Sequence, residues 1–202
     1  MNNKREIVID EEMTGIFDLA GGDRMVEIGC VELVNGVPTG KTYHSYINPE
    51  GRPMSDFAAN LTGLTNEFLA KQPLISTVAK DLQDFIGTSP IIVFCWTEKD
   101  GSSPDQNFLN NEMKRAGYPE FPATQYLNIR DWATKMYVLG EGSLNKMLDY
   151  YKIDRTERSD GGGHGGAIDA ELTAKLYSKL KADWKKFQQK PYVPPRPPVV
   201  KI

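Results

Sequence analysis

The hydrophobic pattern of the chain opens with a short solid run. Residues 6–10 (E-I-V-I-D) carry β-branched Ile and Val in succession, which predicts a buried central strand that Asp10 ends. Residues 25–34 (M-V-E-I-G-C-V-E-L-V) read as a second strand. The segment N-G-V-P-T-G at 35–40 has the turn chemistry of a hairpin into a third strand, K-T-Y-H-S-Y-I-N. Between 73 and 86 the spacing changes: Ile75, Val78, Ala79, Leu82, Phe85 and Ile86 share a helical stripe, and Gly87 stops it. That helix leads into a strand, I-I-V-F-C-W, at 91–96. A loop, T-E-K-D-G-S-S-P, precedes a helix that begins at Asp105 and ends at Gly117. A short strand at 126–129, a helix at 131–138 and a helix capped by Ser143 follow. The last helix starts near Gly166 and runs to about residue 188. Strands first, then alternation, then helices predict an α/β fold, a mixed sheet with helices on both faces.

Composition adds the scale. With 202 residues and 40% hydrophobic content, the chain suits one domain with a large core. A catalytic domain over 1–182 is expected, then a basic, proline-rich tail over 183–202 that is extended at P-Y-V-P-P-R-P-P. Such a tail either docks in an aromatic-lined groove of a protein partner or acts as a semi-rigid spacer. A net charge of −3 argues against a protein that coats nucleic acid with a broad basic face. An acidic protein still meets phosphate where divalent ions reverse the local sign. Cys30 and Cys95 lie in apolar runs without paired histidines, so buried thiols are expected rather than a disulfide or a zinc site. The first residues lack a long apolar segment and no run reaches membrane-spanning length, which predicts a cytoplasmic protein.

Five residues carry the candidate chemistry. Asp10 and Glu12 stand two apart on a strand and so point the same way, while Glu11 points opposite. Alone, D-x-E at a strand end is an ordinary polar terminus. Asp105 falls in the first turn of a helix, where a carboxylate is favoured by the dipole whether or not it has another task. His164 and Asp169 flank a Gly-Gly pair, which places the His on a loop and the Asp in the first turn of the last helix. Four carboxylates and one imidazole, drawn from distant segments, are what metal-assisted phosphodiester hydrolysis requires.

With these motifs the chain resembles the DnaQ-like 3′–5′ exonucleases of the DEDDh type and, among them, the epsilon-like proofreading branch. The resemblance covers roughly residues 5–180, through I-D-E-E-M-T-G, V-E-I-G-C-V-E-L-V-N-G, Y-I-N-P-E, G-L-T-N-E-F-L, D-Q-N-F-L-N and H-G-G-A-I-D-A-E-L. It implies an RNase H-like five-stranded sheet with strand two antiparallel to the rest. It implies that Asp10, Glu12, Asp105 and Asp169 ligate two ions, Mg²⁺ or Mn²⁺, with Asp10 bridging them and His164 as general base. The implied substrate is a single-stranded DNA 3′ end, contacted by Met13, Thr14, Gly15, Thr62 and Trp96. A polymerase is the implied protein partner. Trp96 is placed either to stack on a base or to pack at the end of its strand, while Trp132, Tyr150 and Tyr151 fit the core.

The departures from the family pattern are specific. The strand before the second motif normally runs almost directly into its Asp, but here F-C-W-T-E-K-D-G-S-S-P-D is several residues longer. Asp100 therefore competes with Asp105, which is favoured because F-L-N follows it at the family spacing. Thr62 stands where a histidine is expected, Asn128 where an Asp is common, and the loop before His164 has gained glycines. D-x-E-M-T-G is also how oligoribonucleases of the superfamily read, so short RNA is an alternative substrate. A third reading keeps the fold as a weakly active, nuclease-like binding module.

Overall fold

The computed structural model describes residues 4–15, 20, 22–137, 142–158 and 163–189. Three strands open the fold: β1 (Arg5–Met13), β2 (Met25–Val34) and β3 (Val37–Tyr46). The hairpin between β2 and β3 turns on two residues, Asn35 and Gly36, with φ of 58° and 84°. Asn-Gly is the pair that tolerates two successive left-handed residues, so β3 begins at Val37, earlier than the turn-rich sequence 35–40 suggests. The expected end of β1 at Asp10 is also corrected. Pairing continues through Glu11↔Ile28 and Glu12↔Glu27 to a bulge before Met13, because β2 is long enough to template it.

Helices α1 (Asp56–Thr62) and α2 (Asn66–Leu69) follow, each capped by a hydroxyl, Ser55 accepting from the Ala58 amide and Thr65 from the Phe68 amide. The hydrophobic pattern did not announce either, since they bury little beyond Ala58 and Leu69. Helix α3 (Ile75–Ile86) leads into β4 (Ile91–Val93), shorter than the apolar run 91–96, and α4 (Pro104–Arg115) follows with Ser103 as its cap. Then come β5 (Tyr126–Asn128), α5 (Arg130–Tyr137), α6 (Leu144–Tyr150) and the long α7 (Gly166–Gln189).

The five strands form one sheet in the order β3-β2-β1-β4-β5. β1 is antiparallel to β2 and parallel to β4, β4 is parallel to β5, and β2 is antiparallel to β3. Strand two therefore runs against all the others, the RNase H-like arrangement. Alternation along β1 divides two cores. Val8 faces a cluster with Val31, Ile92, Leu172, Leu176 and Tyr177 under α5, α6 and α7. Ile7 and Ile9 face Val78, Leu82, Leu109 and Met113 of α3 and α4. Asp10 and Glu12 share the Val8 side and so emerge beneath the start of α7.

That start is set by two glycines. A Cβ on Gly29 of β2 would overlap the Gly166 carbonyl and the Ala167 Cα, and one on Gly166 would sit 2.8 Å from the Asp10 carbonyl oxygen. Helix and sheet thus meet backbone to backbone, which brings the first turn of α7 onto β1. Gly29→Ala is expected to cost about 1–3 kcal/mol through overpacking. It should also lower nuclease activity disproportionately; urea unfolding together with a rate assay checks both.

Beyond residue 182, α7 continues to Gln189, and Trp184 and Phe187 pack against the α5–α7 core. Trp132 and Trp184 stack with centroids 5.3 Å apart and planes 3° from parallel. Tyr150 and Tyr151 also lie against this core, as expected. The proline-rich stretch from 190 onward lies outside the described residues. Cys30 is buried and Cys95 half-buried, both as free thiols. Among the described residues, no helix is long and apolar enough to cross a membrane.

Candidate active site

Four elements deliver the acidic side chains and the imidazole to one open pocket of about 350 Å³. β1 supplies Asp10 and Glu12, the first turn of α4 supplies Asp105, and the first turn of α7 supplies Asp169. His164 lies just before α7 on a loop held to the end of α1, where the Gly163 and His164 amides both donate to the Leu61 carbonyl. Ligand atoms of Glu12, His164 and Asp169 lie within 4.8 Å of one another. His164 Nδ1 stands 3.5 Å from Asp169 Oδ2. Hard carboxylate oxygens with one imidazole fit a divalent cation such as Mg²⁺ or Mn²⁺.

The electrostatics agree with that donor set. Burial first, then Asp169 and Glu27, push the Glu12 carboxyl up to about 8, with Arg158 opposing. Burial raises Asp105 to about 6 even though the Cys95 thiol and a backbone amide donate to it. Asp10 is held well above the ordinary range by burial and by Asp169, Asp105 and Glu12, again with Arg158 opposing. Closely set acids resist ionising together, and a bound cation relieves that resistance.

The rebuilt second motif explains itself in three dimensions. The extra residues fold into a turn of their own, with the Glu98 amide bonded to the Ser102 carbonyl, the Gly101 amide to the Glu98 carbonyl, and Gly101 at φ 87°. Asp100 is spent inside this turn, accepting from the Ser102 amide and hydroxyl. It faces a separate polar cavity, so Asp105 is the acid that reaches the pocket. Asn128 braces the same loop, donating to the Cys95 carbonyl at 2.7 Å. A carboxylate could not make that bond.

The proposed substrate contacts divide. Trp96 is 40% exposed and lines the pocket, with its indole N–H on Glu98, so it does not pack in the core. Thr62 is next to the pocket-lining Leu61, and its hydroxyl donates to the Ala58 carbonyl. Met13 and Thr14 are buried, and the Thr14 hydroxyl donates to Asp23 and accepts from the Arg24 amide. Gly15 abuts the Asp23 carboxylate so closely that a Cβ would overlap it. These three shape the chain after β1 and do not line the acidic pocket.

Sequence reasoning missed three charged groups here. Arg158 donates through Nε to Asp169 Oδ1 at 2.6 Å, and nothing in T-E-R-S-D sets it apart from surface charge. Glu27, opposite Glu12 in the register and 3% exposed, is bonded to His44 Nε2 at 2.8 Å. Its signal was available: a glutamate inside a solid apolar strand. Glu11 is buried with neither carboxylate oxygen hydrogen-bonded, and burial with Asp105 and Glu112 pushes it well above the usual range.

A family profile described as Exonuclease (RNase_T) matches residues 7–177. DNA polymerase III subunit epsilon of Rickettsia prowazekii is 37% identical over 184 residues, covering 89% of this chain and 75% of that protein. The nuclease domain of 3'hExo, a DEDDh family member bound to rAMP, superposes with a TM-score of 0.69 at 22% identity, covering 90% and 94% of the two chains. E. coli Exonuclease I in complex with a dT13 oligonucleotide superposes with a TM-score of 0.70 at 12% identity, covering 92% of this chain and 43% of that one. A profile match over residues 7–177 and a relative 37% identical across three quarters of its own length place this chain in the DnaQ-like DEDDh family of 3′–5′ exonucleases.

Proposed function

We propose that the chain removes nucleotides from single-stranded DNA 3′ ends in a proofreading or repair setting, in the cytoplasm and in company with a polymerase. The convergence of Asp10, Glu12, Asp105, Asp169 and His164 in one open pocket carries the reading. The similarity to polymerase III epsilon subunits supports the DNA substrate and the polymerase partner. The basic, proline-rich tail is the segment we assign to that partner.

Asp10, Glu12, Asp105 and Asp169 would hold two divalent ions, Mg²⁺ or Mn²⁺. Bound there, such ions supply Lewis acidity and offset the charge of the phosphodiester. The chain's own residues do the rest. His164 is the general base that takes the proton of the attacking water, and Asp169 orients its ring. Arg130, anchored through Nε on the Gly142 carbonyl, sets a cation at the pocket wall to meet backbone phosphate. Trp96, 40% exposed in the pocket lining, is the side chain we assign to a terminal base, a contact worth about 1–3 kcal/mol.

The test is digestion of 3′-labelled single-stranded DNA and of two-to-five-nucleotide RNA in Mg²⁺, Mn²⁺ or EDTA. Metal-dependent shortening of DNA in preference to RNA is the expected result. Preference for the short RNA would transfer the chain to the oligoribonuclease reading, and digestion of neither would leave a binding module. In the same assay His164→Ala is expected to lower kcat about 10²–10⁴-fold with KM little changed. Undiminished turnover would remove His164 from the mechanism.

A further inference from the structure

The acidic pocket already contains a cation belonging to the chain. Arg158 is 7% exposed and sits on a turn closed by its amide on the Arg155 carbonyl. Among the described residues its guanidinium makes three side-chain contacts. Nε donates to Asp169 Oδ1 at 2.6 Å, Nη2 meets His164 Nδ1 at 2.9 Å, and Nη1 donates to Asn145 Oδ1 on α6. Asp169 and His164 are two of the three residues, with Glu12, whose ligand atoms cluster within 4.8 Å.

We propose that Arg158 is a displaceable internal counter-ion, occupying Asp169 and His164 in the metal-free protein and giving them up when a divalent cation enters. The inference deepens the reading of the pocket as a divalent-cation site and rests on it. A guanidinium donates and never accepts, so it cannot share a ligand atom with a cation except by crowding like charges together. Buried acids without compensation are costly, and Arg158 supplies it to Asp169 through an ion pair in which both side chains are buried.

The same contact acts on the base. A donor on His164 Nδ1 makes that nitrogen the acceptor, so a neutral ring carries its proton on Nε2. Once Arg158 withdraws, Asp169 Oδ2, 3.5 Å from Nδ1, can accept a hydrogen bond from the other neutral tautomer, in which the ring's proton has passed through solvent from Nε2 to Nδ1. Nε2 of that tautomer carries no proton and can accept one from water. Arrival of the cation and arming of the base become one event.

Arg158 therefore competes with the cation, and its engagement lowers the apparent affinity by the fraction of molecules in which the pocket is open. Calorimetric titration of Mn²⁺ into the full chain tests this against Arg158→Gln. The variant is expected to bind Mn²⁺ roughly tenfold tighter, and Arg158→Lys, which keeps the charge but loses the fork, to fall between it and the parent. Equal or weaker binding by Arg158→Gln overturns the counter-ion role while leaving the cation site standing, since a merely supporting arginine gives that result. Absence of Mn²⁺ binding in both parent and variant overturns the cation site and this inference together. Should Arg158→Gln fail to fold, Arg158→Lys decides: tighter binding than the parent supports displacement, and equal or weaker binding rejects it.

Discussion

Asp10→Asn is expected to lower kcat/KM on a labelled oligonucleotide by roughly 10³-fold or more, the largest effect of any single substitution. Asp10 lines the same pocket as Asp169, Asp105 and Glu12, and each of the three raises its carboxyl further. Asparagine keeps the shape and the strand pairing with Gly29 but removes the charge. Lewis-acid stabilisation of a phosphoryl transition state is worth several kcal/mol, and each 1.36 kcal/mol is a factor of ten in rate. Stability should move the other way. With one like charge gone from a crowded pocket, the variant in EDTA should melt no lower than the parent. A single-turnover assay and a melting curve separate the two. A variant that folds and retains more than a tenth of the parental rate would displace Asp10 from the centre of the chemistry.

The second large effect concerns pH. In EDTA the melting temperature should fall as pH rises from about 4.5 to about 8, by several degrees, at about 2–4 °C per kcal/mol for a chain of this size. The sign follows from linkage. Glu12 and Asp105 have folded values of about 8 and about 6, above their ordinary carboxylate values, and Asp10 and Glu11 are raised as well. The native state thus holds protons that the unfolded chain releases. The stabilisation is complete below the ordinary carboxylate range and is lost as pH climbs through the folded values. Mn²⁺ replaces those protons, so its stabilising effect should widen as pH rises. A melting temperature in EDTA that stays flat or climbs over this interval, or a Mn²⁺ effect that ignores pH, would contradict the acid cluster as described.

Much of the site was legible because each of its acids, though far from the others in sequence, stands at a place that local pattern identifies. Asp10 and Glu12 are two apart on a strand, and Asp169 and Asp105 each begin a helix, so period and capping rules place them before any fold is known. The five-stranded sheet with strand two antiparallel was legible through the resemblance, and the long helices through their apolar stripes. Short capped helices were not. α1 and α2 depend on Ser55 and Thr65 hydroxyls and on contacts with Val26 and Met54, which no periodicity encodes. Arg158 was hidden for a different reason. A surface arginine and a buried one read identically, and only the fold brings Asn145, His164 and Asp169 around it. The choice of Asp105 over Asp100 was legible only because the residues after it kept the family spacing. The physical reason, a turn that consumes Asp100, needed coordinates.

The placement of the three tryptophans has a practical consequence. Trp132 and Trp184 are stacked on each other against the α5–α7 core, whereas Trp96 lines the acidic pocket with its indole N–H on Glu98. Mn²⁺ is paramagnetic and quenches a nearby excited indole; Mg²⁺ is diamagnetic and does not. Swapping one ion for the other at equal occupancy should therefore dim the emission of Trp96 selectively, giving the protein a built-in, label-free optical gauge of when its pocket is filled.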